Sequence, residues 1–320
     1  MAQTQVKQQG LLTTIREIVV LLLIVFLIRT VIFGLYVVPT GSMETTMLVG
    51  ERFLGDKFTP IFGSIKRGDI IAFNEPNYKY SSNTLMYLFQ HYAWGPSNWT
   101  KRVIGIPGDR VRGVIENGKP EVCVNDQKLV EPYLNTYPLV KVLPEGLNWH
   151  RAQLNFTTML HQGNIDPSTV DINRALQDQL STRKSYDPNY SFKEQPFYRI
   201  KEALVVKGPG GKADLIHPGT LIREPKPEEK KPEGQNYWNG TDEFYVALGK
   251  NQYWCMGDNR LGSHDCRFFG PIDGKEIHAK IIWRIWSIDS NESWWILDLI
   301  KHPIDFWSRV RWGRFFQWMK

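Results

Sequence analysis

The sequence predicts a mostly β protein, an antiparallel β-sheet body behind one N-terminal apolar helix. Three observations carry that expectation. Short runs of β-branched and aromatic residues recur along the chain, each closed by a Gly, Pro, Asn or Asp turn. One strongly apolar stretch, residues 18–28, stands near the N-terminus and has no equal elsewhere. The remainder is globular in composition, 42% hydrophobic and 22% charged with a mean hydropathy of −0.35, so any membrane part is small.

The apolar run is interrupted by Arg29 and Thr30 and resumes over residues 31–38. A spanning helix needs about 20 residues, more than the first run supplies. A helix over residues 15–32 suffices where Arg29 snorkels to one interface. Lys7 and Arg16 would also flank a cleaved secretory signal, but no Ala-x-Ala-like site follows. A buried core helix is the other option. The expectation is an uncleaved transmembrane anchor at 15–34 behind a cytoplasmic N-terminus at 1–14. Lys7 and Arg16 put the N-terminus inside and the body outside.

Beyond the anchor, 52–54 and 69–73 read as strands, with Lys66-Arg67-Gly68 turning into the second. The strand at 102–106 ends at Pro107-Gly108-Asp109. Residues 111–114 and 121–124 form a hairpin about Asn117-Gly118, a type I′ signal, and Asn125-Asp126 turns the chain into 128–130. These elements make a first part of the body, 35–132. From 133 to 242 the pattern weakens into an accessory region. Within it 170–180 reads as an amphipathic helix capped by Ser168 or Asp171, and 223–234 as a charged, proline-rich loop. β character returns at 243–248 and 279–288, in a second part of the body at 243–290.

Two segments are unusual. The tail, 291–320, alternates Trp294, Trp295, Trp307, Trp312 and Trp318 with Arg309, Arg311 and Arg314. That mixture suits a membrane interface, or an aromatic helix packed on the body. The segment 77–98 carries Leu85-Met86-Tyr87-Leu88-Phe89. It suits a hairpin dipping toward lipid or rimming a cleft, or a surface excursion packed on itself.

The net charge of +6 fits nucleic acid or an anionic membrane surface. With no nucleic-acid signature in the chain, no nucleic-acid partner is expected. Cys123, Cys255 and Cys266 form no CxxC pair, which excludes a cysteine-rich zinc site, and neither metal nor cofactor is expected. Cys255 and Cys266 are near enough in sequence to pair in an oxidising space; three separate thiols is the simpler expectation.

A candidate nucleophile follows the anchor at once, Ser42 in Pro39-Thr40-Gly41-Ser42-Met43. A serine hydroxyl needs a base. None of the seven histidines stands in a recognisable triad context. Ser263-His264-Asp265 spells a triad, but adjacent side chains on a strand point apart. Lysine can serve where burial strips its charge. Lys101, which precedes an apolar strand and has Trp99 and Phe73 as an apolar wall, is the candidate.

Four blocks in order make the chain resemble the bacterial type I signal peptidases, membrane-bound Ser/Lys leader peptidases. Pro39-Thr40-Gly41-Ser42-Met43 is similar to that family's nucleophile block and Arg67-Gly68-Asp69-Ile70-Ile71-Ala72-Phe73 to its second. Lys101-Arg102-Val103-Ile104-Gly105-Ile106-Pro107-Gly108-Asp109 matches its base block. The last block, GDNRxxSxDSRxxG, is met from Gly257 to Gly270 at all fixed positions but Cys266, where the family has serine. The resemblance implies Ser42 as nucleophile, Lys101 as general base and Ser263 as the hydroxyl that orients the lysine amine. It implies Thr40 with the Ser42 N–H as the oxyanion hole, and Asp258, Asp265 and Arg267 as an ion-paired support for the Ser263 loop.

It also implies removal of signal peptides from exported pre-proteins through an acyl-enzyme, with small residues read at −1 and −3. Phe73, Ile71 and Met43 are the candidates for those subsites. The lipid bilayer and the secretion translocon are the further partners. The expected location is the bacterial cytoplasmic membrane, single-pass, with the body on its outer face. Two competitors remain. The self-cleaving repressors use Ser/Lys chemistry but carry a DNA-binding domain and no anchor. A membrane-tethered β-domain with a decayed site, used for binding or assembly, would fit Cys266.

Overall fold

The computed structural model describes residues 2–92, 95–223, 234–290, 292 and 295–319. The charged loop expected at 223–234 falls, but for its two ends, outside the described residues, as does Trp294. Helix α1 (Ala2–Leu27) runs through a π-turn, Ile28–Ile32, into β1 (Phe33–Val37). Among the described residues no helix is long and apolar enough to cross a membrane. Regular α-helix stops at Leu27, so Arg29 and Thr30 fall in the π-turn. A transmembrane helix over 15–34 is thus not shown among the described residues. The apolar side chains at 18–27 are nonetheless all exposed, with no part of the body laid over them.

Next come β2 (Arg52–Asp56), the single-turn α2 (Phe58–Phe62), β3 (Ile70–Asn74), α3 (Thr84–Tyr92) and β4 (Asn98–Gly105). The segment expected as a hairpin or surface excursion is thus built around a helix, α3, with Leu85 to Phe89 exposed. Strands β5 (Arg110–Glu116), β6 (Lys119–Val124) and β7 (Gln127–Lys128) are consecutive hairpins. Asn117 and Gly118, at φ 51° and 74°, close the first as a type I′ turn requires.

The accessory region holds β8 (Leu139–Val142), α4 (Trp149–Gln162), α5 (Ile172–Leu180), β9 (Thr182–Ser185) and β10 (Leu215–Ile216). Asp171, not Ser168, caps α5, accepting from the Arg174 amide. Helix α4 is an element not expected from the sequence; Trp149, Ala152 and Phe156 are half-buried and Leu160 buried along one face. After it follow β11 (Phe244–Ala247), β12 (Gln252–Met256), α6 (Cys266–Phe269), β13 (Ile272–Asp273) and the long β14 (Ile277–Trp286). The chain finishes with α7 (Trp295–Lys301), α8 (Asp305–Arg309) and β15 (Gln317–Trp318).

The largest sheet has the order β1-β2-β14-β3-β4-β12-β13, with β15 on β14. A second has the order β11-β5-β6-β7 and a third, in the accessory region, β10-β8-β9. Among the described residues every strand pair is antiparallel. Strand β3 explains where the core sits. Ile71 and Phe73 enter a cluster with Val103, Val111, Val246 and Trp254, whereas Ile70 and Ala72 enter another with Met43, Met47 and Phe53. Burial on both faces is why β3 is continuously apolar in sequence. The aromatic tail is part packed and part exposed. Trp295, Phe306 and Phe315 pack on Trp286 in a small core of their own, while Trp307, Trp312 and Trp318 stay exposed.

Candidate active site

Residues 39 and 40 carry the chain out of β1, and a 3-10 turn, Gly41–Met43, presents Ser42. Met43 sinks into the core beneath and pins that turn. Thr40 is extended and exposed, and its hydroxyl makes no capping bond to the turn. Lys101 sits in β4 opposite Ile71 of β3. Its Nζ lies 2.9 Å from Ser42 Oγ and 3.2 Å from the Thr100 carbonyl, with the Trp99 ring 5.7 Å away. Residues 59 apart in sequence thus meet at hydrogen-bond distance. Lys101 is only 4% exposed, and that burial pushes its ammonium down to about 8, against a partial opposing pull from Asp265. Among the described residues no group of His, Cys, Asp and Glu is placed to hold a metal ion.

The Gly257 loop lies directly on the nucleophile turn. The Asn259 N–H donates to the Ser42 carbonyl at 3.1 Å, and Asn259 Nδ2 donates to the Gly41 carbonyl at 2.9 Å. A Cβ on Gly257 would stand 2.4 Å from the Ser42 carbonyl oxygen and 2.3 Å from Ser263 Oγ, so only glycine permits this approach. Ser263 is buried against the same glycine, and its hydroxyl makes no hydrogen bond to Lys101. The structure brings Ser263 to the site without closing the contact expected of it.

The three charged supports belong to two separate assemblies rather than one. Asp258 takes a two-pronged bond from Arg102 at 2.9 and 2.7 Å, and a third bond from Thr46 Oγ1 at 2.6 Å. Arg102 in turn donates to the Gly68 carbonyl and lies 4.0 Å over the Tyr133 ring. Asp265 and Asp242 clasp Arg267, all three buried. Burial alone would raise the Asp265 carboxyl; the Arg267 guanidinium outweighs it and holds that carboxyl low. Cys266 Sγ receives the Cys255 amide at 3.0 Å, so the thiol occupies a hydrogen-bonding position inside the shell. All three cysteines are free and buried. His264 stacks on Phe268 and packs edge-on to Trp99, away from any triad role. Met43, Ile71 and Phe73 are completely buried, so as placed none offers surface to a substrate side chain.

Sequence reasoning missed Arg102, Asp242, Asn259 and Glu44. Arg102 and Asn259 lay inside matched blocks beside Lys101 and Asp258, so a signal existed. Glu44 had none. Two residues past Ser42, it turns back beneath Gly41, where a Cβ would meet its Oε1 at 2.3 Å. It accepts from the Ser185 amide at 2.9 Å, the Ser185 hydroxyl at 2.6 Å and the Tyr198 hydroxyl at 2.7 Å. Burial raises this carboxyl, and those bonds oppose the rise. The accessory region thereby grips the nucleophile turn from below.

Residues 11–286 match the family model described as signal peptidase, peptidase S26. The chain belongs to that family. It is 26% identical to "Signal peptidase I" of Buchnera aphidicola subsp. Acyrthosiphon pisum (strain APS) over 85% of this chain and 74% of that protein. It is 24% identical to "Signal peptidase I" of Rickettsia bellii (strain OSU 85-389) over 98% and 89%. "Signal peptidase I P" of Bacillus subtilis subsp. natto is 34% identical over 128 residues, 40% of this chain and 58% of that protein. The antiparallel body is that of a bacterial type I signal peptidase, a serine endopeptidase that hydrolyses peptide bonds to remove signal peptides.

Proposed function

We propose that this signal peptidase cuts with a Ser42/Lys101 dyad through an acyl-enzyme. The observation that carries the reading is the 2.9 Å approach of Lys101 Nζ to Ser42 Oγ inside a buried setting. Neutral Lys101 takes the Ser42 proton as Oγ attacks the scissile carbonyl. The Ser42 N–H and the Thr40 hydroxyl receive the oxyanion. The amine of the mature protein leaves with the proton from Lys101, and an ester to Ser42 remains. Water, deprotonated by Lys101, then releases the signal peptide and restores Ser42. Ser263, behind Gly257, orients the lysine amine, and the Arg102–Asp258 and Arg267–Asp265–Asp242 assemblies hold the loop that carries it.

The substrates are exported pre-proteins with small residues at −1 and −3. We read α1 and its π-turn as a single-pass anchor in the cytoplasmic membrane, N-terminus inside, because residues 18–27 expose an apolar surface that nothing in the body covers. The body then works on the outer face, within reach of the bilayer and the secretion translocon, and the short path from β1 to Ser42 sets the height of cleavage. A weakened, tethered β-domain is the second reading, resting on Cys266. The purified full chain in detergent decides between them, given a pre-protein whose leader ends in Ala-x-Ala. Cleavage by wild type, lost in Ser42→Ala and Lys101→Ala, is expected. Cleavage that survives Ser42→Ala sinks the mechanism, and a wild type that does not cut supports the binding domain.

A further inference from the structure

The chemistry above makes no use of a cavity of about 170 Å³ where α1 gives way to β1. Arg29 and Thr30 of the π-turn, Lys57 just past β2, and Asn74 and Asn98 of β3 and β4 line it. Its polar lining sits in apolar surroundings. Phe26 of α1 and Leu35 of β1 also line it and are exposed, and Phe58, Ile61 and Phe62 of α2, which follows directly on Lys57, are exposed as well.

Two cations face this one cavity, and among the described residues neither has a carboxylate partner. The acids on neighbouring elements are committed elsewhere. Asp56 accepts from the Phe58 and Thr59 amides and the Thr59 hydroxyl, and Glu276 accepts from Asn74 and Tyr80. Lys57 is half-buried, and that burial, with Arg29 close by, pushes its ammonium down. Two like charges on one cavity, the Lys57 ammonium half-buried and Arg29 exposed, are held together at a cost that a bound anion removes. The apolar rim says which anion. A soluble anion has no use for exposed Phe58, Ile61 and Phe62, whereas acyl chains lie against such side chains.

We propose that this cavity is a headgroup site for one anionic phospholipid. Arg29 and Lys57 hold the phosphate oxygens, Thr30 and Asn98 offer neutral donors, and the acyl chains run along α1 and α2. A zwitterionic headgroup brings its own cation and forfeits much of the attraction. Gly34 and Leu35 of β1 also line the cavity, and β1 leads directly to the Ser42 turn. A lipid fixed here therefore ties the site to the plane of the headgroups. The inference rests on the membrane reading of α1.

Native mass spectrometry of the full chain in nonionic detergent, titrated with phosphatidylglycerol or phosphatidylcholine, tests it. One tightly retained phosphatidylglycerol is expected. Arg29→Gln and Lys57→Gln each weaken it about fivefold and the double variant about 25-fold, while Lys250→Gln changes nothing. Pre-protein cleavage in lipid-free detergent stays unchanged in these variants, which shows that they fold. Equal retention of the two lipids, or unaltered retention in the double variant, overturns the proposal. Displacement by excess inorganic phosphate also overturns it, as a site for a free anion. Alkaline carbonate extraction of native membranes reads the anchor separately: release of the chain there contradicts the membrane reading, whatever the lipid titration gives.

Discussion

Replacing Lys101 with methionine removes a charge from a place that burial makes hostile to it. The folded chain lowers this ammonium from 10.5 to about 8, a drop worth about 3 kcal/mol. The sign follows from proton counts. Between pH about 8 and about 10.5 the unfolded chain holds the proton and the folded chain has lost it, so stability rises with pH across that window. Below about 8 both states are charged and the full penalty stands. Lys101→Met should therefore be more stable relative to wild type at pH 7 than at pH 11, by about 3 kcal/mol. The loss of the Lys101 bonds to Ser42 and Thr100 shifts the whole curve without changing its slope, and every other lysine cancels. Urea unfolding of both full chains in detergent, from pH 7 to pH 11, measures this difference. A difference that does not vary with pH refutes a buried, depressed Lys101. The same value fixes the activity profile: kcat/KM of wild type should climb about tenfold per pH unit below 8 and level off above it.

Other perturbations report on the supports. Gly257→Ala drives a Cβ toward the Ser42 carbonyl at 2.4 Å and should cut kcat by about 100-fold with little change in KM, in line with a small misplacement of the reacting groups; steady-state kinetics with a leader-peptide substrate checks it. Asp258→Asn leaves the buried Arg102 charge uncompensated and should destabilise the fold by about 3–5 kcal/mol, seen as a lower midpoint in denaturant. Ser263→Ala, by the amine-orienting role, should lower kcat and displace the pH profile, with rescue by Ser263→Thr; an unmoved profile assigns Ser263 to packing alone.

Much of this was legible in the sequence because the chemistry is carried by local blocks. The Asn117-Gly118 hairpin, β3 and the later part of β4 announced themselves through turn residues and apolar runs, while the start of β4, which carries Lys101, did not. What stayed hidden depended on distant pairing. Glu44 looks like any loop acid until Ser185 and Tyr198 arrive from the accessory region. Asp258 and Arg267 are near in sequence, yet they belong to different ion pairs, because Arg102 on β4 claims the first and Asp242 the second. Helix α4 escaped notice although Trp149, Ala152, Phe156 and Leu160 recur at helical spacing. The N-terminal helix marks the other limit: hydropathy finds the apolar run, but not the point where α-helix yields to a π-turn at Ile28.

The covalent intermediate tests the central claim most directly. The full chain is mixed with a pre-protein substrate, quenched in acid within the first turnover, digested and mapped by mass spectrometry. The leader peptide is expected as an ester on Ser42, accumulating in wild type and absent from Ser42→Ala and Lys101→Ala. Cleavage with no adduct at any time, or an adduct on another residue, contradicts it.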